Sequence, residues 1–286
     1  MTTESTTPAS SAFSEWPLVG FTTLAIMGAG LLTTPLVAWA AAGVPAPAAT
    51  CVGWGAIVLA AGLVVSLAHL GKPLRAPRSA SGIGRSRLSA EVAAGCVATA
   101  LGAAVAFFPY VSAVLEIATA IAGVVFLVTL GQVYALPGQQ TWRGVTAWMP
   151  VTLGLGFGAV GLAASWGEAM AAIGAMAAAA LAADTALLVV RRSAISWPKV
   201  PLAPRYPDVF ARAQALLMGR FVLVDLLPGA GLLAGLRETA VLLLGLGVLV
   251  DRIGFYGLAA QRTTESEIAR VEGVIATIAH NLRPPS

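Results

Sequence analysis

The sequence predicts an all-α integral membrane protein, a bundle of about eight transmembrane helices. Three observations predict it. Of the 286 residues, 58% are hydrophobic and only 10% charged, with a mean hydropathy of +0.84, whereas a soluble domain carries roughly a quarter charged residues. Apolar runs close to the roughly 20 residues that cross a bilayer recur along the chain. The few Lys and Arg residues fall almost entirely on one of the two sides that those runs define.

Taken in order, the spans fall near 16–42, 50–70, 88–108, 111–135, 146–164, 168–190, 213–235 and 238–260. Pro150 and Pro228 are expected to kink or shorten their helices, because proline lacks a backbone donor and crowds the preceding turn. Trp16, Trp39, Trp142, Trp148, Trp166 and Trp197 fall near span ends, where amphipathic rings anchor at the interface. Alanine and glycine abound inside the spans, as close helix packing in lipid favours. Cys51 and Cys96 both lie in apolar segments and are read as small buried hydrophobes. Two thiols make neither a cysteine-only cluster nor a disulfide framework. Residues 1–14, rich in Ser and Thr and without the basic start of a signal peptide, are expected to be a mobile tail. Residues 15–260 are expected to form one transmembrane domain of eight helices. The polar tail 261–286 carries Ile268, Val271, Ile275 and Ile278 at helical spacing, which predicts a short surface helix.

Let side A be the side of both termini. One loop on it holds Lys72, Arg75, Arg78, Arg85 and Arg87, and another holds Arg191, Arg192, Lys199, Arg205 and Arg212. With Arg143, Arg262, Arg270 and Arg283, side A carries fourteen Lys and Arg residues against Arg237 alone on side B. The positive-inside rule then places side A and both termini in the cytoplasm, in the cytoplasmic (inner) membrane. Lys72, Arg78, Arg85 and Arg87 are also expected to serve as a docking surface for an acidic partner. No basic patch interleaved with aromatics points to nucleic acid.

Ionisable residues near the spans are few, and in hydrocarbon such residues are costly and usually functional. Glu15, His69, Glu91, Tyr134, Arg220, Arg252 and Tyr256 all fall toward side A although alternate helices run in opposite directions. Arg252 and Tyr256 are four apart and share a helix face. Asp251 lies off that face and is placed to pair with an arginine of a neighbouring helix. Singly, each residue also fits a structural role: His69 as an interfacial residue, Ser89 or Glu91 as a helix cap, the tyrosines as belt aromatics, the arginines as snorkelling cations. Together, His, a carboxylate, Tyr and Arg beside apolar walls suit a quinone. Its two carbonyl oxygens need donors, and its reduction needs a group that titrates near neutrality. No residue set suggests a metal. With His69 and a tail residue, His280, as the only histidines, a bis-His dihaem cytochrome b is excluded and no haem is expected.

The segments SEWPLVGFT, LAHLGKPLRA, GRSRLSAEVAAG, VYALPGQQTWRGVTAWMP and DRIGFYGL, in this order, resemble the dimethyl sulfoxide reductase membrane-anchor family from about Glu15 to Leu258. The paired HLGKPLRA and LSAEVAAG blocks are the most specific. The resemblance implies an eight-helix, haem-free, quinol-binding anchor of a molybdopterin oxidoreductase complex working in anaerobic respiration. Such an anchor holds a four-cluster iron–sulfur subunit and a catalytic subunit with a molybdenum bis-pyranopterin cofactor, and is itself non-catalytic. It further implies that His69 and Glu91 are the menaquinol-site residues, with Arg75, Arg220, Arg252 and Tyr256 at further motif positions. The chain departs from the family at Val248, where members often carry Glu; here the nearest carboxylate is Asp251, about one turn on. Exported members face the outside, whereas the charge bias here predicts a cytoplasm-facing site.

Two other function classes fit the composition. A small-solute or proton transporter would use charges near the bilayer midplane, with Asp184 and Asp225 as the candidates. A purely structural anchor would have no use for His69 and Glu91. The orientation is separately testable: a cysteine introduced at Gly82 resists a membrane-impermeant thiol reagent in intact cells and reacts in inverted vesicles. Labelling in intact cells would reverse the assignment of sides.

Overall fold

The computed structural model describes residues 16–43, 49–68, 86–108, 113–135, 144–165, 170–196 and 215–257. Among them every regular element is helical. The elements are α1 (Trp16–Leu32), α2 (Thr34–Ala42), α3 (Ala49–Leu67), α4 (Arg87–Phe107), α5 (Ala113–Val133), α6 (Met149–Ser165), α7 (Met170–Ser196), α8 (Ala215–Leu233) and α9 (Arg237–Gly257). Seven are single helices long and apolar enough to cross a membrane, and the bent pair α1 and α2 supplies the eighth crossing. The chain is therefore a multi-pass membrane protein with the predicted spans. Both predicted tails lie outside the described residues.

The first span breaks where the sequence predicts one helix. Thr33 leaves the helix and the two halves bend by 40°. Pro35 in the first turn of α2 cannot donate to the preceding turn, so the ladder stops there. The hydroxyls of Thr33 and Thr34 donate to the Gly30 carbonyl at 2.6 Å and the Leu31 carbonyl at 2.8 Å, replacing part of the ladder. Pro150 does not kink α6, since it stands in the first turn, after a short 3₁₀ segment at Gly144–Trp148. Pro228 acts differently. It follows a π-helical turn at Val222–Leu226, in which the Leu227 amide bonds back to the Val222 carbonyl. Widening that turn relieves the clash between the proline ring and the backbone before it.

Helix α1 lies at the centre, packing on α3, α5, α6 and α9. Neighbouring helices also pair as antiparallel hairpins: α4 with α5, α6 with α7, α8 with α9. Helices α1 and α6 approach closely, so that a side chain at Gly158 would collide with the Gly30 carbonyl oxygen. Backbone meets backbone there, which is how small residues hold helices together in lipid. Helices α8 and α9 meet through a three-residue turn. Gly235 takes a left-handed conformation (φ 76°), and the Leu236 amide closes back on the Gly231 carbonyl at 2.8 Å.

Trp16, Trp39 and Trp148 are about half exposed or more near helix ends, as interface anchors should be; Trp142, Trp166 and Trp197 lie outside the described residues. Cys51 is buried beside Ser165, but Cys96 is exposed on the outer face of α4, contrary to its reading as a buried hydrophobe. An apolar span offers lipid as the environment on that face, so exposure there costs a thiol little.

The α1–α6 contact yields a paired test. Gly158→Ala lowers the melting temperature of the detergent-solubilised protein by the equivalent of roughly 1–3 kcal/mol. Gly174→Ala, where nothing lies within 4 Å of the added methyl, leaves it unchanged or raises it. Equal effects at both positions would refute close backbone packing as the organising contact.

Candidate functional site

Helix direction collects the polar residues. Glu91 lies in the second turn of α4, Tyr134 just past the end of α5, Arg191 near the end of α7, Arg220 near the start of α8, and Arg252 and Tyr256 near the end of α9. With alternating directions, all six stand toward side A. The contact between Arg87 Nη1 and the Gln132 carbonyl, at 3.1 Å, ties the start of α4 to the end of α5 on that side.

The densest feature is a buried ionic network across α7, α8 and α9. Asp251 is its hub: Oδ1 accepts from Arg220 Nε at 3.1 Å and from Arg191 Nη1 at 3.4 Å, while Oδ2 accepts from Arg252 Nε at 2.9 Å and from Arg252 Nη2. Arg220 gives each of its three nitrogens to a different carboxylate. Besides Asp251 these are Asp225, reached by Nη1 at 3.1 Å, and Asp184, reached by Nη2. Thr152 of α6 donates to the other Asp184 oxygen at 2.8 Å. The side chains of this network are at most 6% exposed.

Local structure explains these pairings. Arg220 and Asp251 lie fifteen and sixteen residues from Gly235, so the α8–α9 hairpin brings them to the same height. Asp225 is five residues after Arg220. On a regular α-helix at about 100° per residue, five residues place side chains roughly 140° apart. The π turn between them closes that angle and puts Asp225 on Arg220's face.

Beside the network stands an aromatic wall. Arg252 Cζ lies 4.6 Å from the Phe255 ring centroid, a cation–π contact. Phe255 meets Tyr134 and Tyr256 edge to face, at centroid distances of 5.5 and 5.2 Å, and Tyr134 meets Tyr256 at 5.8 Å. Val19 of α1 backs this wall, with Thr22 and Glu91 as polar neighbours of Tyr256.

Glu91 is 1% exposed, and its Oε1 has no hydrogen-bond partner among the described residues. It does not cap α4. Ser86 occupies the N-cap position with extended backbone, and Ser89 is buried one turn in. A carboxyl held in apolar surroundings with a free oxygen can exchange a proton or accept one from a ligand. His69, Arg75, Lys72, Arg78 and Arg85 lie outside the described residues; Arg87 is described, and exposed. No group of His, Cys, Asp and Glu suited to a metal is found among the described residues.

The structure thus brings Glu91, Tyr256 and Arg252 toward one end of the bundle and makes Arg220 an internal counter-ion. The expected pairing of Asp251 with neighbouring helices is present. Arg191, which the sequence presents only as a basic loop residue, is a buried member of the network. Its signal is its place at the edge of the apolar run Ala172–Arg191, rather than beyond it.

Similarity to known proteins follows the same lines. The family model of the DMSO reductase anchor subunit (DmsC) matches residues 9–258. The anaerobic dimethyl sulfoxide reductase protein YnfH of Escherichia coli (strain K12) is 33% identical over 145 residues, covering 46% of this chain and 50% of that protein. The C subunit of the anaerobic dimethyl sulfoxide reductase of Haemophilus influenzae is 33% identical over 103 residues, 32% of this chain and 36% of that one. The C subunit of the Escherichia coli (strain K12) enzyme is 27% identical over 277 residues, 87% of this chain and 96% of that protein. The first two alignments therefore span only about half and about a third of those relatives, and the last nearly all.

The hub carboxylate sets a stability test. Asp251→Asn leaves three buried guanidiniums to share two carboxylates, and the expected loss is about 3–5 kcal/mol. It reads as a large drop in melting temperature or in membrane-integrated protein. An unchanged melting temperature would show that Asp251 does not hold the network.

Proposed function

This chain belongs to the DMSO reductase anchor subunit family, and from that premise we propose that it is a quinol-binding electron-transfer anchor. In this reading it holds a molybdopterin/iron–sulfur oxidoreductase complex, through a four-cluster iron–sulfur subunit and a catalytic subunit carrying a molybdenum bis-pyranopterin, in the inner membrane with both termini in the cytoplasm. The observation that carries the reading is Glu91: a buried carboxyl with an oxygen that has no partner among the described residues, at the membrane end where Tyr134, Tyr256 and Arg252 gather.

These residues fit a quinone head group. Aromatic rings supply flat apolar contact, and Glu91 and Tyr256 supply polar atoms beside them. A bound quinol supplies two electrons, for the nearest cluster of the iron–sulfur partner, and two protons. His69 and Glu91 are the residues proposed to face its oxygens and take those protons. Arg75 is proposed to contact the head group from the adjoining segment. Arg252 orients Phe255 and so the wall, and Arg220 holds Asp251, which holds Arg252. With His69 and His280 the only histidines of the chain, no haem is proposed in this subunit, so the quinol and the partner's nearest cluster are proposed to share side A, where Lys72, Arg78, Arg85 and Arg87 are proposed to dock the partner. Asp184 and Asp225, the residues a transporter would use, are both paired to Arg220, which favours the anchor over the transporter.

The test is kinetic. His69→Ala and Glu91→Gln abolish quinol-linked turnover, while the complex stays assembled and active with a soluble artificial electron donor. Undiminished quinol activity in both variants would sink the quinone site and leave a structural anchor.

A further inference from the structure

One guanidinium in the ionic network is incompletely used. Arg191 is 2% exposed. Its Nη1 reaches Asp251 at 3.4 Å and the Met149 sulfur at 3.9 Å, whereas Nε and Nη2 have no hydrogen-bond partner among the described residues. Those two nitrogens carry the parallel N–H pair along one edge of the guanidinium, the edge that binds an acceptor in two-point fashion. Arg252 uses the same edge on Asp251. Leaving a buried donor unpaired is costly, and more so for a charged group. An acceptor belongs there.

Charge indicates what kind. The network holds three aspartates, Asp184, Asp225 and Asp251, and three arginines, Arg191, Arg220 and Arg252, with side chains at most 6% exposed. Its formal charge is already balanced, so an added anion would leave a net negative charge in a low-dielectric interior, which is expensive. A neutral carbonyl oxygen brings lone pairs without charge. Position indicates which carbonyl. Arg191 Cζ lies 5.9 Å from the centroid of Phe255, whose ring also carries Arg252 and meets Tyr134 and Tyr256.

We propose that the Nε–Nη2 edge of Arg191 binds one carbonyl oxygen of the quinone, the oxygen distant from Glu91. This rests on the quinone reading above and adds a residue to it. Arg191 then fixes which end of the head group faces which proton acceptor.

The probe is 2-methyl-1,4-naphthoquinone bound to the detergent-solubilised complex, read by tryptophan quenching and by infrared difference spectra of its ¹³C-labelled carbonyls. In the wild-type complex one carbonyl stretch is shifted down by the two-point hydrogen bond. Arg191→Lys keeps a cation for Asp251 but has no paired edge. It is expected to keep the wild-type melting temperature, bind the probe at least roughly tenfold more weakly, and return the shifted band to the frequency of its free counterpart. If Arg191→Lys unfolds, the wild-type spectrum alone decides: two carbonyls at their free frequencies would overturn the proposal. So would unchanged affinity and spectrum in Arg191→Lys when Glu91→Gln weakens binding, an outcome that leaves the quinone reading standing. No saturable binding of the probe to the wild-type complex would remove the quinone reading and this inference together.

Discussion

The structure depends on keeping ionised side chains inside a membrane bundle electrically matched. Six such groups on three helices share one connected set of hydrogen bonds, and Asp251 touches all three arginines. A buried pair of this kind gives little net stability against an apolar alternative, but losing one member is costly because the other cannot neutralise itself in place. The network therefore acts mainly as a specification. Helices α7, α8 and α9 fit together at one height and one rotation, since any other leaves a charge unpaired in hydrocarbon.

That specification reaches the aromatic wall through α9. Asp251 and Arg252 are adjacent, so the carboxylate that fixes the network also fixes the guanidinium that lies on Phe255. Phe255 and Tyr256 pack on Tyr134 from the end of α5 and on Val19 from α1. Glu91, on α4, belongs to the opposite half of the bundle. The site thus forms where the first four spans meet the last, with α1 between them. Its geometry is set by rigid helices more than by loops, which suits a group whose contacts must hold within a fraction of an ångström.

Much of this is legible in the sequence. Eight apolar runs predict the crossings because hydrocarbon permits little else, and the direction of alternate helices places Glu91, Arg220, Arg252 and Tyr256 on one side. The same logic anticipates that Asp251 finds an arginine on another helix. The finer geometry is hidden. The break at Thr33 depends on a threonine pair ahead of Pro35, which reads as ordinary apolar sequence in a hydropathy window. Arg191 reads as a loop residue because a cation at the edge of a span satisfies a charge count equally well inside the bundle or outside it. Asp184 looks like an isolated midplane charge, since nothing local announces a partner on another helix, and Asp225 stands at a spacing that a regular helix would turn away from Arg220.

The π turn in α8 has a consequence for how this protein aligns with its relatives. A π turn accommodates one residue more than the α-helix it interrupts. Removing one residue between Phe221 and Leu227 would restore regular winding, and the two halves of α8 would then rotate by about 100° against each other. With the half bearing Arg220 held in place against α9, the half from Leu227 to Leu233 would turn toward a different neighbour. A relative that lacks the extra residue must carry Asp225's counterpart at another spacing from the arginine, or do without it. Sequences aligned through this helix without a gap will then match residues that occupy different faces, and percentage identity alone will not reveal the mismatch.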